Sequence, residues 1–189
     1  VPRRWTPREL RRAMNALLPE DIWVVEAVAE PARFHPRYDA ISRSYLYRVG
    51  TAAAAHSPFH ARWCWALAGE LDGEGKGRGA AVLPGDHSFL AFAKAGQEDR
   101  GDRCIVQAAS WHEWPPLGLE LRIAANRFLH HMVRYLVGTM VEIGLGRRPV
   151  AHLAELLEEG SGLETSPPAP PQGLFLTEVR YRGEDGEEF

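Results

Sequence analysis

The sequence predicts an α+β fold built on a mainly antiparallel sheet. Two segments with strand-like alternation, residues 104–111 and 117–123, are separated only by the turn sequence WPPLG, which is typical of a hairpin. Other short strand patterns precede and follow this pair, and helical patterns are inserted among them. Such an order, rich in strands with a few helices, favours an α+β fold.

The N-terminal stretch predicts one helix followed by one strand. Thr6 and Glu9 form the capping-box pattern TPRE ahead of apolar residues at helical spacing, and Pro19 marks the expected end of the helix. Residues 22–28, IWVVEAV, are rich in β-branched side chains and predict a strand.

Residues 44–50, SYLYRVG, predict a second strand with a two-residue period. The alternation places Tyr45, Tyr47 and Val49 on one face and Leu46 and Arg48 on the other. Two tyrosines on one face are usually core packing, but they are also suited to stacking against nucleic-acid bases. Both interpretations stay open from the pattern alone.

The longest apolar-rich stretch, residues 124–145, predicts a central helix. Its apolar side chains recur at helical spacing and define one broad buried face, formed by Leu129, Met132, Val133, Leu136, Val137 and Met140. Asn126 is the expected N-cap, and Gly144 or Gly146 the expected end.

A narrow polar stripe crosses this predicted helix. Arg127, His131 and Arg134 are spaced at i, i+4 and i+7, with His130 beside them. A buried arginine needs a partner, so Arg134 is expected to face a carboxylate or a phosphate. A structural ion pair, with the histidines at a solvated edge, explains the same spacing.

The remaining segments are expected to be short elements and connections. Residues 73–84, rich in glycine and containing Pro84, predict a loop or a badly weakened helix, because each glycine in a helix costs about 1 kcal/mol relative to alanine. Residues 87–92 predict a short buried element, and residues 150–159 a short amphipathic helix. SPPAPP predicts a stiff connection before a last strand over residues 173–181.

Charge is unevenly distributed along the chain, although the formal net charge is only −3. Residues 1–149 contain 20 of the 22 lysines and arginines against 16 acidic residues, whereas residues 150–189 contain 2 basic and 9 acidic residues. Twenty of the basic residues are arginine, which suits bidentate phosphate contacts, although a GC-rich genome also enriches arginine. A basic body with an acidic tail is compatible with local RNA binding.

Metal and membrane patterns are absent from the sequence. Cys64 and Cys104 form no disulfide or metal motif, which favours a reducing cytoplasm. His56 and His60 are four residues apart, but Pro58 and the lack of nearby acidic residues argue against zinc. No apolar run approaches the roughly 18 residues that span a bilayer, and we expect neither a membrane nor a DNA partner.

Three motifs resemble consecutive motifs of the tRNA pseudouridine synthase A family. They are FHPRYDAISRSYLYRV, ANRFLHHMVRYLVGTMVEIG and APPQGLFLTEVRY, in the order and spacing of that family. NALLPEDIWV at residues 15–24 is similar to the stretch that links the two halves of the family. The resemblance covers nearly the whole chain, and its HHMVR helix is quite specific.

The resemblance implies a pseudouridine synthase fold with helices packed on one face of the sheet and a sheet-floored cleft. It implies a homodimer that isomerises uridine to pseudouridine in the anticodon stem-loop of tRNA, without metal or organic cofactor. Residues 1–30 would end the N-terminal lobe and form the linker, residues 31–183 would form the C-terminal lobe, and residues 184–189 would be an acidic tail.

The chemistry of this family needs an aspartate that attacks the nucleoside, so that the base detaches, turns and reattaches through carbon 5. The target base must leave its stack to reach that aspartate. By resemblance, Tyr45 packs against the base, Arg134 pairs with the catalytic aspartate and Leu174 closes the pocket. The resemblance also implies RNA contacts from Arg43, Arg127, His130 and His131.

The chain departs from the family at the nucleophile. The family carries its aspartate in a GRTDAGVH-type motif upstream of the NALLP helix, and these 189 residues contain no such motif. Asp39 occupies a position that the family does not use for catalysis. Two hypotheses follow: a synthase whose N-terminal lobe is absent from this sequence, or an RNA-binding or dimerisation remnant without catalysis. Retention of Tyr45, Arg134 and Leu174 favours the synthase.

Overall fold

A computed structural model describes residues 5–67, 71, 79–93 and 101–182 of the chain. The chain divides into two compact units, Val1–Asp39 and Ala40–Phe189. The predicted acidic tail, residues 184–189, lies outside the described residues. No helix among the described residues is long and apolar enough to cross a membrane.

The first unit contains helix α1, Pro7–Leu17. The capping box is confirmed, since the Thr6 side chain accepts a hydrogen bond from the Glu9 backbone N–H and the Glu9 carboxylate accepts one from the Thr6 backbone. Those hydrogen bonds to Thr6 lower the pKa of Glu9. The helix ends with Leu18 as its C-cap, directly before Pro19, as the pattern predicts.

The predicted strand over residues 22–28 is wrong. The segment forms no strand, and the backbone groups of Val24 and Val25 bond to side chains of α1 and not to a neighbouring strand. The Asn15 amide pairs with both backbone groups of Val24, at 2.9 and 2.8 Å, and Arg11 donates to the Val25 carbonyl at 2.9 Å. A β-branched run becomes a strand only where a neighbouring strand takes its backbone groups.

The second unit is built on a six-stranded sheet, which confirms the α+β prediction. Its strands are β1 Ala40–Gly50, β2 Trp65–Ala66, β3 Gly85–Ser88, β4 Arg103–Trp114, β5 Gly118–Ala125 and β6 Leu174–Tyr181. The hydrogen-bonded order is β2-β1-β5-β4-β3, and β6 also pairs with β1. Among the strands that the structure describes, only the two-residue pairing of β1 with β2 is parallel, so the sheet is mainly antiparallel.

The predicted hairpin is confirmed as β4 and β5, which pair from Val106 opposite Ala125 to Trp114 opposite Gly118. Gly118 is required at the turn, because a Cβ there would lie 2.2 Å from the Val49 carbonyl oxygen. The turn therefore packs directly against the end of β1.

The central helix is shorter than predicted. Helix α2 is Met132–Gly144, whereas residues 124 and 125 belong to β5. The N-cap is His131, in the left-handed conformation with φ +65°, and Asn126 does not cap the helix. The Asn126 side chain instead accepts a hydrogen bond from the Ile105 backbone N–H at 2.9 Å, which extends the β4–β5 ladder. Apolar periodicity cannot tell where a strand gives way to a helix.

Helix α2 packs on one face of the sheet and supplies more core residues than any other single element. Its buried side chains include Met132, Val133, Leu136, Val137, Met140, Val141 and Ile143. They pack with the inward-facing residues of the sheet, among them Tyr47, Val49, Val106, Leu121 and Ile123. The opposite face of the sheet carries polar side chains, including Arg122 and Ser110.

The shorter elements differ from their predicted lengths. Helix α3, Ala151–Glu155, is half as long as the predicted 150–159, and β6 begins one residue later than expected. Residues 79–81 are helical, so the end of the 73–84 segment departs from the predicted loop. Residues 72–78 lie outside the described residues. Of the predicted element at 87–92, residues 90–92 form a 3₁₀ helix.

Candidate active site

The inward face of β1 carries the two tyrosines singled out by the sequence. Tyr47 and Val49 are fully buried, whereas Tyr45 is half-buried at the edge of the same core. The ring of Tyr45 meets Phe128 edge to face, with centroids 5.0 Å apart and planes at 87°. Tyr45 thus lies where the sheet core opens, with one side supported by an aromatic neighbour.

Arg134, in the first turn of α2, is half-buried and held by the proline-rich segment 167–171. Its Nε donates to the Ala169 carbonyl at 2.6 Å, and the Ala169 N–H donates back to the Arg134 carbonyl at 2.9 Å. Among the described residues, no carboxylate lies within ion-pair distance of Arg134. The guanidinium is therefore oriented through Nε while its charge is not neutralised by any described carboxylate.

Tyr47 connects Arg134 to the same segment. The Tyr47 hydroxyl donates to the Pro170 carbonyl at 2.6 Å. Burial raises the pKa of Tyr47 well above its usual value, and the positive charge of Arg134 lowers it in part. Tyr47 is therefore a protonated hydrogen-bond donor at neutral pH and a structural neighbour of Arg134.

Leu174 lies opposite Tyr47 in the β1–β6 pairing, and Leu176 lies opposite Tyr45. Gly173 allows this approach, because a Cβ there would lie 2.8 Å from Tyr47 Cζ. Arg134, Tyr47 and Leu174 are therefore brought together at one end of the sheet. Tyr45 follows two residues from Tyr47 on the same strand face.

The four residues predicted to contact RNA cluster around residues 126–131. Arg43 Nη1 donates to the carbonyls of Ala40 and Asn126, both at 2.7 Å, and Arg127 donates to the Gly101 carbonyl at 3.2 Å. The rings of His130 and His131 lie with their centroids 4.0 Å apart and their planes tilted by 36°. RNA binding by these residues stays a prediction. Their contacts show that both arginines also donate hydrogen bonds to backbone carbonyls of the chain.

Two features of the site were missed from the sequence. The first is Phe128, which the helical interpretation assigned to α2 and which instead precedes it, against Tyr45. The second is the segment 167–171, interpreted only as a stiff connection. The available signal was Gly138, since a glycine inside a helix often marks a close approach. A Cβ at Gly138 would lie 2.1 Å from the Pro167 carbonyl oxygen.

Three of the four described aspartates, Asp39, Asp86 and Asp102, are engaged elsewhere. Asp39 accepts a hydrogen bond from the His35 backbone N–H at 2.7 Å and closes a local turn. Asp86 pairs with Arg103 at 3.2 Å, and Asp102 accepts a hydrogen bond from the Ser88 hydroxyl. The described part of the chain also brings together no group of three or more histidine, cysteine or acidic side chains suited to a metal ion.

Comparison with known proteins relates this arrangement to one family. A family model described as tRNA pseudouridine synthase matches residues 80–182. A protein named tRNA pseudouridine synthase A from Pelodictyon phaeoclathratiforme is 37% identical over 175 residues, 93% of this chain and 70% of that protein.

Proteins of the same name show similar agreement. The one from Halalkalibacterium halodurans is 41% identical over 165 residues, 86% of this chain and 61% of that protein. The one from Myxococcus xanthus is 37% identical over 169 residues, 89% of this chain and 63% of that protein. The chain thus spans 61 to 70% of the length of these relatives.

Proposed function

The chain belongs to the tRNA pseudouridine synthase family, and we propose that it serves the isomerisation of uridine to pseudouridine in the anticodon stem-loop of tRNA. In this proposal residues 31–183 are the C-terminal lobe, which receives the target base and orients the catalytic aspartate. Residues 1–30 are the end of the N-terminal lobe and the linker. The proposed enzyme is a cytoplasmic homodimer.

The observation that carries the proposal is the state of Arg134. Its Nε is fixed by the Ala169 carbonyl, while among the described residues it has no carboxylate partner. An arginine held at the edge of an apolar core without a counter-ion is costly unless an anion completes the pair. The family chemistry supplies that anion as the nucleophilic aspartate, which a fixed guanidinium would keep ionised and aimed.

Tyr45 is proposed to receive the flipped base. A base that has left its stack needs an aromatic or apolar surface. The half-buried Tyr45 ring, held edge-on by Phe128 at 5.0 Å, offers one such surface, and Leu174 adds an apolar wall on the neighbouring strand. Arg43, Arg127, His130 and His131 are proposed to contact the RNA backbone around this entrance.

Photocrosslinking tests the location of the site without requiring turnover. An anticodon stem-loop with 5-iodouridine at the target position is bound to the purified chain, irradiated and mapped by mass spectrometry. We expect crosslinks at Tyr45 or Phe128, and their loss in Tyr45→Leu with the RNA still bound. Crosslinks confined to elements that do not adjoin Tyr45, for example at His87 on β3 or His152 on α3, would show that the base binds elsewhere.

A further inference from the structure

Helix α1 and the extended segment beside it form a groove that the site around Tyr45 and Arg134 does not use. The groove is about 490 Å³ in volume and is lined by Arg8, Arg11, Arg12, Asn15, Ala16 and Trp23. Three of these six side chains are permanently positive, and none is acidic. The volume lies within the range of about 300–1,000 Å³ that is usual for small-ligand sites.

The basic residues lie on one face of α1. Arg8, Arg11, Arg12 and Asn15 recur at helical spacing, opposite the face that carries Leu10, Met14 and Leu17. An amphipathic helix packs its apolar face against protein and presents its polar face to solvent. A protein neighbour on the Leu10 face would therefore leave the arginine groove open.

The arginines of this face are not neutralised locally. Arg8 and Arg12 make no hydrogen bond or ion pair with the part of the chain that the structure describes. Arg8 is spaced i, i+3 and i, i+4 from Arg11 and Arg12, and like charges at these spacings disfavour a helix. Glu9, the only acid in the helix, is committed to the capping box on Thr6. An anionic ligand between the arginines would relieve this repulsion.

The floor of the groove is fixed in advance. Asn15 holds both backbone groups of Val24, and Arg11 holds the Val25 carbonyl. These bonds fix the backbone next to Trp23, whose side chain is 69% exposed although it lines the groove. A large indole kept exposed beside guanidinium groups suits stacking on a nucleic-acid base.

We propose that this groove, formed by Arg8, Arg11, Arg12, Asn15 and Trp23, binds an unpaired segment of the RNA substrate. The arginines contact successive phosphates, and Trp23 stacks on an unpaired base. An acidic peptide would satisfy the arginines but would leave the indole unused, so the combination favours RNA. The inference rests on the proposed function and gives the tRNA a second contact surface besides the Tyr45 pocket.

Binding of the full chain to tRNA, measured by fluorescence anisotropy at several salt concentrations, tests the proposal. The test variant is Arg8→Gln/Arg12→Gln, which leaves Arg11 and its bond to Val25 intact. The matched control is Arg103→Gln/Arg147→Gln, which removes the same charge from exposed arginines that already have acidic partners. Circular dichroism and the unfolding midpoint check that both variants stay folded.

We expect the test variant to bind tRNA at least tenfold more weakly and to lower the salt slope by about 1.4, for two lost single-strand phosphate contacts. The control pair should change the slope much less. Trp23→Ala should weaken binding about tenfold with an unchanged slope, whereas Trp23→Phe should retain most of the affinity.

The outcomes separate this proposal from the proposed function. If the wild-type chain binds tRNA but the groove variants match the control pair, the groove is not an RNA surface and the Tyr45 site is unaffected. If the wild-type chain binds no tRNA, both proposals fail. If the arginine variant weakens binding but Trp23→Ala does not, the stacking part of the proposal is wrong.

Discussion

Tyr45 and Tyr47 differ in environment although they lie two residues apart on one strand face. Tyr47 is fully buried and its hydroxyl donates to the Pro170 carbonyl. Tyr45 is half-buried, and its hydroxyl has no hydrogen bond to the part of the chain that the structure describes. Tyr47→Phe should therefore destabilise the chain by about 1 kcal/mol, the usual net value of one hydrogen bond. Tyr45→Phe, the matched control, should stay within about 0.5 kcal/mol. Urea denaturation at pH 7 measures both, and equal effects would contradict the assignment.

The same pair predicts a pH dependence. Burial raises the pKa of Tyr47 in the folded chain, so the unfolded chain, with a tyrosine pKa near 10, loses its proton first. The stabilising contribution is complete below about pH 10 and falls as the pH rises further. Burial also raises the pKa of Cys104 to about 11, so the stability of every variant declines further as the pH rises, by the same amount in each.

Tyr47→Phe should consequently lose less stability than the wild type as the pH rises above about 10. Denaturation curves at several pH values give these slopes. Parallel slopes for the wild type and Tyr47→Phe would show that Tyr47 ionises as freely in the folded chain as in the unfolded one.

The sequence could single out side chains of the candidate site where a motif names them, but it could not indicate the backbone groups that hold them. Tyr45, Arg134 and Leu174 were singled out from the sequence. The carbonyls of Ala169 and Pro170, which hold Arg134 and Tyr47, carry no side-chain signal. Phe128 was assigned to the wrong element, because an apolar residue just before a helix looks like part of its periodicity.

At the scale of elements, helix α2 and the segment 167–171 act as one unit. Gly138 lets the helix backbone approach Pro167 closely, since a Cβ added at Gly138 would lie only 2.1 Å from the Pro167 carbonyl oxygen. Gly138→Ala would normally stabilise a helix by about 1 kcal/mol, but the contact is with backbone and cannot yield cheaply. We expect a net loss of about 1–3 kcal/mol.

Gly79→Ala is the control for that change. The added Cβ would meet the tip of Leu153 at 3.3 Å, a flexible side chain that can move. Its effect should stay within about 1 kcal/mol of zero. Thermal unfolding compares the two variants, and a stabilised Gly138→Ala would show that the 167–171 segment is not pressed against α2.

Elements with hydrogen-bonding partners close in sequence were the predictable ones. The β4–β5 hairpin and the α1 capping box each complete their hydrogen bonds within a few residues, and both were predicted from the sequence. The strand predicted over residues 22–28 does not form, because the Asn15 side chain hydrogen-bonds both backbone groups of Val24. Strand propensities contain no information on such a contact. Residues 124–131 failed as a helix because the pairing with β4 extends through Ala125 and the Asn126 side chain.

At the scale of the whole molecule, the two proposals assign RNA recognition and chemistry to different units. The second unit holds Arg134 and Tyr45 on a rigid sheet and helix, and the first unit carries the arginine groove. In these two proposals the tRNA contacts both surfaces, and two contacts made by one ligand raise its affinity without a new interaction. Loss of either surface should therefore weaken binding, while only changes near Arg134 should affect the chemical step.

Turnover of the 189 residues tests this division. Purified chain incubated with tRNA that contains 5-tritiated uridine should release no tritium above a no-protein control. The reason is chemical: a guanidinium group has no free electron pair with which to attack the nucleoside, and a tyrosine hydroxyl is a much weaker nucleophile than a carboxylate held in place for attack. Fusion to a related synthase's lobe that carries the GRTD-type aspartate should then produce release.

Two variants of that fusion decide which residues act. Arg134→Ala should reduce release by a factor of about 100 or more, because it removes the aspartate's partner, whereas Asp39→Asn should leave release unchanged. Asp39 already closes a turn through the His35 N–H, so its carboxylate has a structural role. The opposite result would be tritium release by the unfused chain, lost when Asp39 is changed to Asn. That result would identify Asp39 as the nucleophile, and the proposal that Arg134 pairs with an aspartate from another segment would be wrong.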